Sequence, residues 1–306
     1  MPASKRSRAI AERQDRNVTS IASKAVDPLG SMGVQIRTAV LRAVRRGGST
    51  KSIINRELRD FVPLMAQAMT AAYIMGQYQS KRLAKSELVR GDEVVDVLGR
   101  WTKIVGFAEK RAGMSKEALG TLFDGFEGQA VQAMKSMGGV LEAQVRAAVA
   151  EATRQGLHYR GTEELVRKAF DAAGMTNAKP WLIETQARTQ TQLAYSAGMY
   201  AAEQDEAIQE IIWGREYVTV GDDRVRPNHA ALDGLRLPID HPRWKEILPP
   251  NGWNCRCSTV PIYKGDDIAT TKNVPKYVTV DGERVEAGPD EGFDFDPIGI
   301  ARELGV

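Results

Sequence analysis

Cys255 and Cys257 are the only thiols in this 306-residue sequence, and they stand two positions apart. In an extended chain, residues two apart point to the same side. Both sulfurs would then aim one way and Arg256 the other, a chelating arrangement for a thiophilic metal such as a structural zinc. The surrounding stretch, Gly221 to Cys257, also holds two of the three histidines and a dense set of turn formers. His229 follows Pro227, which suits a first helical turn, and is the natural third ligand. Asp222, Asp223, His241 or a water are the candidates for a fourth. The competing reading is plain packing: cysteine is among the most often buried residues, so Cys255, Cys257 and Thr259 could be the inward side of a strand. His229 would then be a hydrogen-bonded structural residue beside the Asp222-Asp223 turn. C-x-C is also not the C-x₂-C spacing of common zinc modules.

Other chemistries are less well served. Nucleophilic work by a Cys–His pair needs a base held against a low-pKa thiol; Arg256 could depress such a pKa, but the scheme has no use for a second thiol. Asp222, Asp223, Asp233 and Asp240 could gather as a carboxylate cluster for Mg²⁺-dependent nuclease chemistry. Three of them stand in turn contexts (GD, DG, DHP), where Asp is favoured for backbone reasons. The sequence contains no P-loop, HExxH or GxSxG motif.

The elements that must position this block are mostly helical. Ile36, Val40 and Val44 form one face of a helix expected from Val34 to Arg46, with Arg42, Arg45 and Arg46 opposite and Gly47-Gly48 ending it. Pro63 suits the first turn of the next helix, which carries Leu64, Met65, Ala68, Met69, Ala72, Tyr73 and Gly76 on one stripe. A further helix is expected to carry Val94, Val97, Leu98, Trp101, Ile104, Val105 and Ala108. Ser115 is an N-cap for the one after it, which Gly120, Gly125 and Gly128 weaken. Another helix is expected from Gly139 to Arg154. Residues 155–161 read as a joint, with His158 structural or exposed and Thr162 capping a short helix that stops at Gly174. The helix from Pro180 has an unusually polar face of Thr185, Thr189 and Leu193. Its Arg188 can pair with Glu184 one turn away or reach the loop block. Strands are expected only after about Ile211. Asp281-Gly282 is a hairpin signal, and Tyr277-Val278-Thr279-Val280 echoes Tyr217-Val218-Thr219-Val220.

Charge is unevenly spread. Residues 1–59 carry 13 Lys or Arg against four acidic residues, a net of +9 in a chain whose total is +3. A basic head of this kind is a footprint for a polyanion or an acidic protein surface, and equally for a solvated tail. Arg37, Arg42, Arg45, Arg46 and Lys51 are the candidate nucleic-acid contacts. The basic, polar start has no apolar core of a secretory signal, no apolar run is long enough for a membrane span, and two cysteines so close make no disulfide framework. These point to synthesis in a reducing cytosol.

The ordered segments GDDRVRPNHAALDG, DHPRW and PPNGWNCRC, preceded by ETQARTQTQLAYSAG and followed by PDEGFDFDPIG, resemble the phage Mu F-like head-morphogenesis family, also called minor capsid proteins. The resemblance covers residues 180–300, with Arg188, Asp223, Arg224, Gly234, Pro250 and Arg256 in the motif core. Many members have a Cys pair after the strand and a His before the terminal CRC. Here Arg226 and His229 stand in the pair's region and Asn251-Gly252-Trp253 replaces that His, which leaves His229, Cys255 and Cys257 as the remaining possible ligands. The resemblance implies a few-copy protein inside the tailed-phage procapsid, associated with the portal vertex and acting in head assembly and early DNA handling. The main expectation is therefore a non-enzymatic structural protein of the virion, assembled in the host cytoplasm. Its implied partners are the portal protein, a scaffold or major capsid protein and DNA, with no membrane.

The expected architecture is a basic arm at 1–30 without fixed structure, a helical domain at 31–156 and an α+β domain at 157–306. The family is also likened to ADP-ribosyltransferases at fold level, which would give the second domain a sheet of that kind. The competing function is a packaged enzyme, either a metal-dependent nuclease or an ADP-ribosyltransferase-like one.

Overall fold

The computed structural model of the protein describes residues 3–46, 48–84, 105–112, 114–155, 157, 159–175, 181–266, 271 and 273–304. The longer helices are α1 (Lys5–Arg45), α2 (Thr50–Glu57), α3 (Phe61–Ala84), α4 (Lys116–Arg154), α5 (Tyr159–Ala172) and α6 (Trp181–Ala202). The C-terminal part follows as α7 (Glu206–Gln209), β1 (Ile212–Val218), α8 (Pro227–Ala230), β2 (Arg236–Pro238) and α9 (Trp244–Ile247). β3 (Ser258–Tyr263), β4 (Tyr277–Val280), β5 (Glu283–Glu286) and α10 (Pro297–Glu303) complete the order. The chain is mainly helical, and its described strands lie after Ile211.

Contacts divide the chain into two compact units: Met1–Ile21 with Met69–Leu122 and Arg188–Val306, and Ala22–Ala68 with Phe123–Ala187. This differs from a helical domain followed by an α+β domain. The reason begins in α1, where the sequence suggests a loose arm and a turn at Asp27–Gly30. Ile10, Val18, Ile21, Ala25 and Leu29 recur at helical spacing and are buried, so they draw the segment into folded structure. Arg and Lys between them mask this stripe in a count of composition. Pro28 lies inside α1, where it removes one helix hydrogen bond, yet the helix runs through it.

In the unit that includes the C-terminal residues, β1 is the middle strand of an antiparallel sheet ordered β2-β1-β3. Tyr217 pairs with Thr259, and Arg215 with Leu237 on one side and Pro261 on the other. Alternate residues of β1 face opposite sides. Toward α1, the buried Glu216 accepts from the backbone N–H of Ser4 (3.1 Å) and the hydroxyl of Ser7, while Val218 packs with Ile10, Ala11, Leu83 and Val260. Toward the other side, Tyr217 joins Leu232, Leu235, Leu237, Trp244, Ile247 and both cysteines in one core. Arg215, 1% exposed, ion-pairs with Glu203 just beyond α6. Gly76 and Gly198 let α3 and α6 touch backbone to backbone: a Cβ on Gly198 would overlap the Tyr73 carbonyl, and one on Gly76 the Tyr195 carbonyl. That close crossing seats α6, whose buried Thr and Gln side chains meet the loop block. β4 and β5 form a hairpin over Asp281-Gly282, both at positive φ (51° and 87°), as a type I′ turn requires. The echo at Tyr217–Val220 is not a second hairpin, since the GDDRVRP run after it forms no strand and β1 pairs with Arg236–Pro238 and Ser258–Tyr263.

The other unit is helical. α4 runs unbroken through Gly120, Gly125, Gly128 and Gly139, where two helices are expected. A stripe of Phe126, Ala130, Ala133, Met137, Leu141 and Val145 is buried along it and outweighs the cost of each glycine, about 1 kcal/mol. Ser115 caps it, its hydroxyl accepting from the Ala118 N–H (3.2 Å). Thr162 lies inside α5 and does not cap it. Gly174, at φ +64°, follows the helix end. Of the helix expected around residues 94–108, only the part from Val105 lies among the described residues.

Candidate functional site

The block from Gly221 to Cys257 folds around β1 without being a strand itself. Asn254 takes a positive φ of 57°, which turns the chain so that residues 255–257 run extended into β3. The two thiols therefore share a side even though they lie just before the strand. α8, opened by Pro227, delivers His229 to the same place. Each of the three is 2% exposed. His229 Nδ1 lies 3.9 Å from Cys255 Sγ and 3.8 Å from Cys257 Sγ. Among the described residues, these are the only three His, Cys or acidic side chains whose ligand atoms gather within 4.8 Å of one another.

A second layer fixes this geometry. His229 Nε2 donates to the backbone carbonyl of Asn251 at 3.1 Å and stands 3.3 Å from Asp290 Oδ1. A carbonyl can only accept, so Nε2 carries a proton, and in the neutral ring Nδ1 is left as the nitrogen facing the sulfurs. The Asn251 side chain donates to the Tyr217 hydroxyl (2.8 Å) and to the Ile247 carbonyl (3.0 Å). Asp290, in the PDEG segment, accepts from Asn228 (3.2 Å) and pairs with Arg226 (3.2 Å), and its N–H donates to Asn251 O (2.7 Å). Trp253 packs edge-on against Phe293 and Phe295. From α6, Thr189 accepts from the Asn254 N–H (3.1 Å) and Gln192 donates to the Cys257 carbonyl (3.4 Å). The polar face of that helix is thus the wall of the block. Asn251, Tyr217 and Asp290 escape a search for reactive residue types, because their work is to orient others.

The two thiols are pushed apart in acidity. The hydrogen bond from Cys257, then the neighbouring His229, hold Cys255 well below the usual thiol range; that same hydrogen bond and burial drive Cys257 up. Burial opposes charge on His229, but its hydrogen bond with Cys255 and that thiolate's charge outweigh it and the pKa rises. Burial raises the Tyr217 phenol, and both cysteines add to the effect.

Arg256 points to the opposite side, as the spacing predicts, and takes Asp222 with it: its two terminal nitrogens donate to the two carboxylate oxygens at 2.7 and 2.6 Å. Asp222, a candidate fourth ligand, is thus taken by an arginine that offers it two donors, and it does not join the thiols. Hydrogen bonding to Arg256 holds its carboxyl well below the usual range. A groove of about 610 Å³ opens here, lined by Asp15, Thr19, Arg188, Arg224, Arg226, Trp253, Asn254 and Arg256. Arg188 pairs with Asp15 and Thr19 and does not turn to Glu184. Arg224 reaches Asp222 at 3.4 Å, and Asp223 is exposed.

The remaining candidates scatter. Asp233 accepts from Thr219 and Arg8, Asp240 is exposed, and His241 Nδ1 accepts from the Arg243 N–H (3.2 Å). The four aspartates therefore do not form a carboxylate cluster. Gly234, at φ +78°, donates its N–H to the Tyr217 carbonyl (2.8 Å), and Pro250 follows a cis bond. Arg42, Arg45, Arg46 and Lys51 are exposed and Arg37 partly so; Arg45 pairs with Glu163 and Lys51 approaches Glu142. His158 lies outside the described residues.

Residues 143–260 match the model of a family described as Phage Mu protein F like protein. The chain is 29% identical over 168 residues to "Putative capsid assembly protein F" of Escherichia phage Mu, covering 47% of this chain and 38% of that protein. It is 32% identical over 117 residues to the Mu-like prophage FluMu F protein of Haemophilus influenzae, covering 38% of this chain and 27% of that protein. An uncharacterized protein of Methanocaldococcus jannaschii is 47% identical over 47 residues, 15% of this chain and 7% of its own length. The chain thus spans well under half the length of the curated relatives it matches. No solved structure matches, so an ADP-ribosyltransferase-like sheet gains no support.

Proposed function

Because residues 143–260 belong to the Mu F-like family, we propose that this chain is a minor head protein of a tailed bacteriophage. It acts in head morphogenesis, by contact with other head proteins and not by catalysis. The observation that carries this reading is the family match, together with two Mu-type relatives, one of them named for capsid assembly. In support, the segments that carry the resemblance converge on one site. The GDDRVRPNH turn, the PPNGWNCRC loop, helix α6 and the PDEGFDFD tail are joined there by hydrogen bonds from Asn228, Asn254 and Arg226 and by one from the Asp290 N–H to the Asn251 carbonyl.

The finer reading is a few-copy protein inside the procapsid, bound at the portal vertex and reaching scaffold or major capsid protein. Its place is the virion interior. The exposed Arg42, Arg46 and Lys51 at the end of α1 and the start of α2 face packaged DNA. No helix among the described residues is long and apolar enough to cross a membrane. The test is co-expression with the capsid, scaffold and portal proteins of the same phage. The chain is expected to co-sediment with procapsids only when portal is included. Normal procapsids without the chain, and no co-sedimentation with it, would overturn the reading. DNA affinity should fall steeply as salt rises, since phosphate contacts release counterions.

A further inference from the structure

We propose that His229, Cys255 and Cys257 bind one zinc ion, which locks the loop block onto α8 and the start of β3. This inference is independent of the head-assembly reading. Its first support is metric. Zn–S and Zn–N bonds of about 2.3 and 2.0 Å at a tetrahedral angle place sulfur and nitrogen about 3.5 Å apart. The protein already holds those atoms at 3.9 and 3.8 Å, so a shift of a few tenths of an ångström completes the geometry.

The second support is the tautomer. The Asn251 carbonyl holds a proton on His229 Nε2, so the neutral ring that a metal takes would offer it Nδ1, which lies within 3.9 Å of both sulfurs. A partner on the far ring nitrogen, here with Asp290 beside it, is how ligating histidines are oriented. Soft sulfur donors with one imidazole select zinc over the hard cations that prefer oxygen.

The third support is the chain itself. Residues 219–257 place turns and very short elements between β1 and β3, and an ion tying residue 229 to residues 255 and 257 would close that long excursion. Among the described residues no fourth His, Cys or carboxylate joins the group, so the remaining position falls to a water molecule. Burial of all three ligands makes the role structural. On binding, the protons on the thiols leave to solvent, and no electron is transferred.

The test uses the full-length chain, produced with zinc in the medium and purified without chelator. Elemental analysis should find roughly one zinc per chain. Cys255→Ser, Cys257→Ser and His229→Gln should each lower that content about tenfold or more. Reloading the stripped wild-type chain with Co²⁺ should produce thiolate-to-cobalt charge-transfer absorption, a readout that does not depend on any variant folding. A folded wild-type chain with no zinc and no cobalt band would overturn the proposal. So would a Cys255–Cys257 disulfide in the protein as isolated, or zinc content unchanged in the cysteine variants.

Discussion

The short run from Asn254 to Cys257 has two sides that obey different physics. Inward, Cys255 and Cys257 meet His229 and Tyr217 within a buried core, where bulk solvent does not take the place of a lost partner. Outward, Arg256 meets Asp222, a carboxylate more than a third exposed, at the edge of an open groove. Removing a group inward leaves a cavity or a stranded polar atom, with its full desolvation cost. Removing one outward lets water take over. A single alternation of side chains thus separates what holds the block together from what it shows to a partner.

Trp244→Ala should give the largest effect. Trp244 is 2% exposed in the same core and its indole N–H donates to the Pro238 carbonyl at 2.9 Å. Truncating a buried aromatic costs about 3–5 kcal/mol, so chemical denaturation should show a midpoint far below wild type. A loss under about 1 kcal/mol would mean that the inward side is not the block's support.

Asn251→Ala comes next. The backbone carbonyl that orients His229 stays, but the two side-chain bonds to Tyr217 and Ile247 go. Stranding buried partners costs about 1–3 kcal/mol. Thermal melting of this variant should fall between those of Trp244→Ala and wild type; melting indistinguishable from wild type would show that Asn251 acts through its backbone alone.

Much of this contrast was legible beforehand, because alternation is a local property. The shared side of the thiols, the opposite course of Arg256 and the arrival of His229 on a Pro-initiated turn all follow from spacing. What spacing cannot reach is choice among distant partners. Asp222 had both the thiols and an arginine within the chain's reach, and the arginine's two donors decided it. Arg188 had Glu184 one turn away, yet it pairs with Asp15, from a segment whose buried stripe is masked by its charges. Asp290 lies more than sixty positions beyond His229, and only the folded chain makes it a neighbour. Helix α4 errs in the other direction: its glycines suggest a break, and burial of Phe126 through Val145 overrides them.

Arg256→Ala tests the outward side. Its carboxylate partner is left facing solvent, so the melting temperature should move less than for Asn251→Ala, while any ligand of the groove should bind more weakly. A stability loss matching that of Trp244→Ala would erase the distinction between the two sides.

The smallest effect is expected from Asp222→Asn, and its pH dependence carries the information. Hydrogen bonds from Arg256 hold the Asp222 carboxyl well below the usual carboxylate range in the folded chain, whereas the unfolded chain has the ordinary value of about 3.9. A depressed folded pKa means that the unfolded state takes up the proton first as pH falls. The pair's contribution is therefore whole above the unfolded pKa and fades only between that value and the lower folded one. The gap in melting temperature between wild type and Asp222→Asn, small at neutral pH because the pair is wet, should stay constant from pH 7 to about pH 5. It should begin to close only below about pH 4. A gap that stays unchanged as the pH falls well below about 4 would mean equal folded and unfolded pKa values, and the Arg256 pairing would then not persist in solution.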